Sequence, residues 1–78
     1  MLENYLFRLK KMDALIKRKS TGTPHEFARR MDLSESALYE YLVVLKQLGA
    51  PVKYCRRRRS YYYSEVGEFY LEFRKQNK

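Results

Sequence analysis

A chain of 78 residues is one small domain, and its single cysteine, Cys55, rules out an internal disulfide, so a hydrophobic core has to hold it together. With 17 lysines and arginines against nine acidic residues the net charge is +8, which calls for a polyanion partner, nucleic acid before others. No apolar run approaches the roughly 18 residues of a membrane span, no charged-then-apolar leader opens the chain, and a lone thiol suits a reducing compartment, so a soluble cytoplasmic protein is expected.

The first predicted element is an amphipathic helix over about residues 2–18. Leu2, Tyr5, Leu9, Met12 and Ile16 recur at steps of three and four, and Leu6 and Leu15 widen that stripe. Its other face carries Arg8, Lys10, Lys11, Lys17 and Arg18, read as a solvated face or as a set of phosphate contacts. Ser20-Thr21-Gly22 separates it from the next helix, predicted over 24–31. There Thr23 is the N-cap, Pro24 suits the first position because it lacks the amide proton, and Glu26 reaches back to close a capping box. Phe27, Ala28 and Met31 should face inward, Arg29 and Arg30 outward.

Asp32-Leu33 is read as a tight turn, with Leu33 filling the corner, before Ser34 caps a third helix over 35–48 and Glu35 meets its positive end. Leu38, Tyr41, Leu42, Leu45 and Leu48 form its buried stripe, and Gly49 is the left-handed stop. The opposite face then shows Glu35, Ser36, Tyr39, Glu40 and Val43.

Beyond Gly49 the period changes from 3.6 to 2. Val52 and Tyr54 alternate with Lys53 and Cys55, the run Arg56 to Arg59 follows, and Tyr61, Tyr62 and Tyr63 resume a β-rich stretch. Strands over 52–55 and 61–64 around a basic loop make a hairpin, with Val52, Tyr54, Tyr61 and Tyr63 on the helices and Tyr62 outward. Glu65-Val66-Gly67 is read as a turn with Gly67 at positive φ. In the tail, Phe69, Leu71 and Phe73 alternate as a strand would over 68–74, although Val66, Phe69, Tyr70 and Phe73 also fit a helix; the strand is preferred, giving a three-stranded meander with 75–78 frayed.

The charge is unevenly placed. Residues 1–19 carry six basic groups against two acidic, and residues 50–60 five against none, while 34–49 are net −1. Four adjacent arginines at a hairpin tip repel one another, so phosphate or minor-groove contact is their favoured role, with protein contact or solubility as alternatives. Cys55, beside them, is expected to have a lowered thiol pKa; an incidental residue is the favoured reading over a redox switch. His25 is expected to face solvent without a partner. No Cys/His cluster has metal spacing, no glycine-rich phosphate loop is present and no serine has a base, so neither an enzyme nor a metal, cofactor or small-molecule substrate is expected.

Three helices followed by a basic hairpin resemble the winged helix-turn-helix domain. More closely, TPHEFARRM, DLSESALYEYLVVLKQLG and GAPVKY followed by the arginine run and YYY resemble the N-terminal modules of the biotin-repressor and DeoR-type bacterial regulators. The resemblance covers nearly the whole chain. It implies an α+β winged helix that binds double-stranded DNA, with Ser34, Glu35, Ser36, Tyr39, Glu40 and Val43 as the reading surface, Arg29 and Arg30 beside it, and Arg56, Arg57, Arg58 and Arg59 as the wing. It departs from those families in one respect: they commonly place arginines in the reading helix, in a pattern like S-x-R-T-I-x-R-D-I, where this chain has Ser36 and Glu40, with Tyr41 in place of the Asp. No sensing domain accompanies the module, so a small bacterial or mobile-element transcriptional regulator or accessory factor is expected, with a homodimer or a partner protein left open. A winged-helix protein-interaction module is the alternative, and single-stranded nucleic acid stacking on Tyr62 and Tyr70 a third.

Overall fold

The computed structural model of the chain describes residues 2–69, with side chains from Asn4 onward, and it has three helices followed by a two-stranded antiparallel sheet. The helices are α1 (Leu2–Lys17), α2 (Pro24–Met31) and α3 (Glu35–Gln47), and the strands are β1 (Val52–Cys55) and β2 (Ser60–Tyr63). This is a small α+β fold.

In α1 the pair Met12 and Ile16, one helical turn apart, is fully buried, while Tyr5, Leu9 and Leu15 pack at the edge of the core. Leu6 does not widen the stripe as expected: it is 42% exposed, because the buried seam of α1 is centred on the Met12–Ile16 line and Leu6 falls outside it. The expectation for the Leu2 side chain lies outside the described residues. The helix closes with Lys19 at φ 56°, where the Lys19 amide donates to the Ile16 carbonyl and the Ser20 amide to that of Leu15.

The start of α2 has both halves of the capping box. The Thr23 amide donates to Glu26 Oε1 at 2.8 Å, and the Glu26 amide donates to Thr23 Oγ1 at 3.2 Å. Gly22 makes room for it: at φ 79° it holds a left-handed conformation, and a Cβ there would come within 2.7 Å of the Glu26 carboxylate. Asp32, also left-handed at φ 58°, ends the helix, and Ser34 caps α3 by accepting the Ala37 amide at 3.1 Å. Leu38, Tyr41, Leu42 and Leu45 of α3 enter the core with Phe27, Ala28 and Met31 of α2. Leu48, expected in the same stripe, is 61% exposed because the helix has already reached its cap there. Gly49, at φ 101°, then donates to the Lys46 carbonyl and Ala50 to that of Leu45, which closes the turn.

Val52 pairs with Tyr63 and Tyr54 with Tyr61, so these four side chains share the sheet face turned to the helices. Strand β2 begins one residue earlier than expected, at Ser60, which pairs with Cys55. The reason lies across the chain: Thr21 and Ser60, both buried, exchange hydrogen bonds. The Tyr61 amide donates to Thr21 Oγ1 at 2.9 Å and the Thr21 amide to Ser60 Oγ at 3.1 Å. This link clips the segment between α1 and α2 onto the outer edge of β2. Thr21→Val keeps the shape but takes away the acceptor for the Tyr61 amide, and is expected to cost about 1–3 kcal/mol in a denaturant titration. A midpoint equal to that of the parent chain would show that the clip contributes nothing.

After β2 the chain turns back towards α1. The Tyr63 hydroxyl donates to Asp13 Oδ1 at 2.7 Å, Lys17 Nζ lies 2.6 Å from Glu68 Oε1, and Phe69 meets Tyr63 edge-on at 6.5 Å between ring centres. Gly67 is not at positive φ, so the expected turn is replaced by an irregular stretch held by these contacts. Glu68 and Phe69 have no regular secondary structure, and the rest of the expected third strand, residues 70–74, lies outside the described residues.

Candidate nucleic-acid interface

Ser36, Tyr39, Glu40 and Val43 stand at i, i+3, i+4 and i+7 along α3, and all four are exposed on the side away from the core. Tyr39 is 46% and Val43 50% exposed, so two sizeable apolar groups face water at the middle of this face. Ser34 belongs to it only in part, since its hydroxyl is occupied as the cap. Glu35 is occupied too: its Oε2 lies 3.1 Å from Nδ1 of His25, which joins the start of α3 to the start of α2. His25 therefore has a partner, contrary to expectation, because the short turn after α2 brings the two helix starts together over ten residues of chain.

The hairpin supplies the cationic part of the site. Arg56 to Arg59 form the loop between β1 and β2, and all four side chains are exposed. Cys55 sits at the base of that loop, half-buried. Its thiol is held below the ordinary value first by the Arg58 amide, then by the Arg57 amide and the two guanidinium charges, against the opposing effect of burial.

Two groups on this side of the core have shifted pKa values. Burial first, and then the neighbouring Tyr39, Tyr54 and Glu35, push the Tyr61 phenol up to about 12, so Tyr61 of the hairpin is within electrostatic reach of the outward face of α3. The Glu26 carboxyl is held below its usual range by the Thr23 amide first, and also by the cations Arg30 and Arg59. Rings carry the packing beneath: Tyr61 lies 4.9 Å from Tyr54 and 5.7 Å from Phe27 between centres.

Arg29 and Arg30 are both exposed, as expected, but they differ in use. The Arg30 guanidinium donates to the Ser20 carbonyl, and its own carbonyl accepts from Lys11 Nζ at 3.3 Å, so Arg30 ties α2 to the preceding loop. The basic face of α1 is similarly reduced. Arg8 is half-buried and donates to the Tyr41 hydroxyl at 3.3 Å, where Tyr41 also packs on Tyr5. Lys17 is raised in pKa by its hydrogen bond to Glu68 first, and lies 3.6 Å from Asp13 as well. Arg56 to Arg59 make no ion pair among the described residues, and neither do the exposed Lys10, Arg18, Lys19 and Arg29.

Sequence reasoning missed the Thr21–Ser60 clip, the His25–Glu35 pair and the Tyr63–Asp13 bond. Each joins residues at least ten apart across a turn or a sheet edge, and no helical or strand spacing rule connects them. A residual signal exists for Thr21, a β-branched hydroxyl residue between Ser20 and Gly22. Among the described residues no helix is long and apolar enough to cross a membrane, and no three His, Cys, Asp or Glu side chains gather as metal ligands would. No family model, curated protein or solved structure matches the chain.

Proposed function

We propose that the chain is a winged helix-turn-helix module that binds duplex DNA, with α3 in the major groove and the arginine loop, as the wing, on the adjacent backbone or minor groove. One observation carries this reading: α3 exposes a face with a polar and apolar mixture, and the hairpin packed on the same core ends in a tip of four unburied arginines. A helix fits the major groove, and a cationic loop beside it meets the phosphates that position it there. Arg29 lies on the same pair of helices and adds a further phosphate contact. The role that follows is that of a small bacterial or mobile-element transcriptional regulator or accessory factor in a reducing cytoplasm.

A second reading rests on Tyr39 and Val43, whose exposed apolar surfaces beside Glu40 also suit a protein partner. Binding to a mixed-sequence duplex, measured by fluorescence anisotropy at low and moderate salt, separates the two. Duplex binding is expected at low salt and should weaken steeply as salt rises, because bound cations are released into solution. Absence of binding at low salt would favour the protein partner.

A further inference from the structure

The outward face of α3 lacks the side chains that read purines. Arg or Lys matches the two acceptors of guanine, and Asn or Gln matches the donor and acceptor of adenine, but residues 34–45 contain none of the four. Lys46 and Gln47 come only in the last turn, and a recognition helix touches base edges with its N-terminal residues.

What the face offers is a carboxylate next to two apolar groups. Glu40 is exposed and, among the described residues, makes no hydrogen bond or ion pair, in contrast to Glu35. An ionised carboxylate can only accept hydrogen bonds. In the major groove the bases offer two amino donors, that of cytosine and that of adenine, and the adenine one sits beside the N7 acceptor, whose lone pair repels a carboxylate. Cytosine is therefore the base that Glu40 fits. Val43 and Tyr39, both about half exposed, match the one apolar group in the groove, the 5-methyl of thymine. Residues three apart on a helix have Cβ atoms about 5–6 Å apart, and bases on a strand are stacked about 3.4 Å apart, so the methyl falls one or two steps from the cytosine.

Resting on the duplex-binding reading, we propose that α3 reads a pyrimidine pair: Glu40 accepts from the N4 amino group of a cytosine, and Val43 with Tyr39 packs on the methyl of a thymine one or two steps away. The arginine loop offsets the repulsion between Glu40 and the phosphates, so the carboxylate contributes discrimination and the loop contributes affinity.

Selection from a random duplex pool with the parent chain and with Glu40→Gln tests this. The parent should enrich cytosine at one position, by about tenfold over other bases, with thymine within two steps. Glu40→Gln should replace that cytosine by adenine, since a carboxamide supplies the donor and acceptor that adenine needs. A separate arm uses the parent chain alone: replacing the selected thymine by uracil, which lacks the methyl, should weaken binding roughly fourfold. Enriched sites without cytosine, a cytosine unmoved by Glu40→Gln, or indifference to uracil would overturn the assignment. Salt-dependent binding with no base preference would overturn this inference and leave duplex binding standing, whereas no binding to any duplex would remove both.

Discussion

Phe27→Ala is expected to remove a large part of the chain's folding stability. Phe27 is fully buried in the core that the three helices share with the hairpin, and its ring lies 5.7 Å from that of Tyr61 between centres. Removing such a ring costs about 3–5 kcal/mol, through lost transfer free energy and the cavity left behind. A domain of this length holds only about 4–12 kcal/mol in total. In a thermal melt the midpoint should fall by more than about 10 °C. Leu48→Ala is the control: the side chain is 61% exposed and should shift the midpoint by only a few degrees. Equal losses at the two positions would mean that α3 buries a different face.

Replacing Arg56, Arg57, Arg58 and Arg59 together by Ala should change binding far more than folding. Each phosphate neutralised on duplex DNA contributes about 0.9 to the slope of log affinity against log salt. Four neighbours in one tight loop project in different directions, so two or three can reach phosphates at once, and the slope should fall by about 2–3 units. All four side chains are exposed, so the melting midpoint should stay within a few degrees. A salt slope equal to that of the parent would take the hairpin out of the DNA interface and bring a protein partner to the front.

How much of this was legible beforehand depends on the range of each interaction. The capping box of Thr23 and Glu26, the cap at Ser34, the left-handed Gly49 and the pairing of Val52 and Tyr54 with Tyr63 and Tyr61 all follow from spacings of a few residues or from period-2 alternation, and the structure has each of them. Periodicity misled where an element stopped or shifted: Leu48 continues the α3 stripe on paper, but the helix is capped there, and Leu6 lies just off the α1 seam. The turn expected at Gly67 rests on residue type alone, whereas the chain there follows the contacts of Glu68 with Lys17 and of Phe69 with Tyr63. At the candidate site, the exposure of Ser36, Tyr39, Glu40 and Val43 and of the four arginines was readable from the helical stripe and the charge run. That Glu35 is taken by His25, and Arg30 by the Ser20 carbonyl, was not, since both depend on how α1, α2 and α3 are placed.

The most direct test of duplex binding is a map of backbone amide shifts in solution as a short mixed-sequence duplex is added to the isotope-labelled chain. Ser36, Tyr39, Glu40 and Val43 on α3 should move together with Arg56 to Arg59, while the buried amides around Met12 and Leu45 stay near their starting positions. Shifts confined to the exposed face of α1 around Lys10 would contradict binding through α3 and the arginine loop, and no shift at any residue would contradict duplex binding itself.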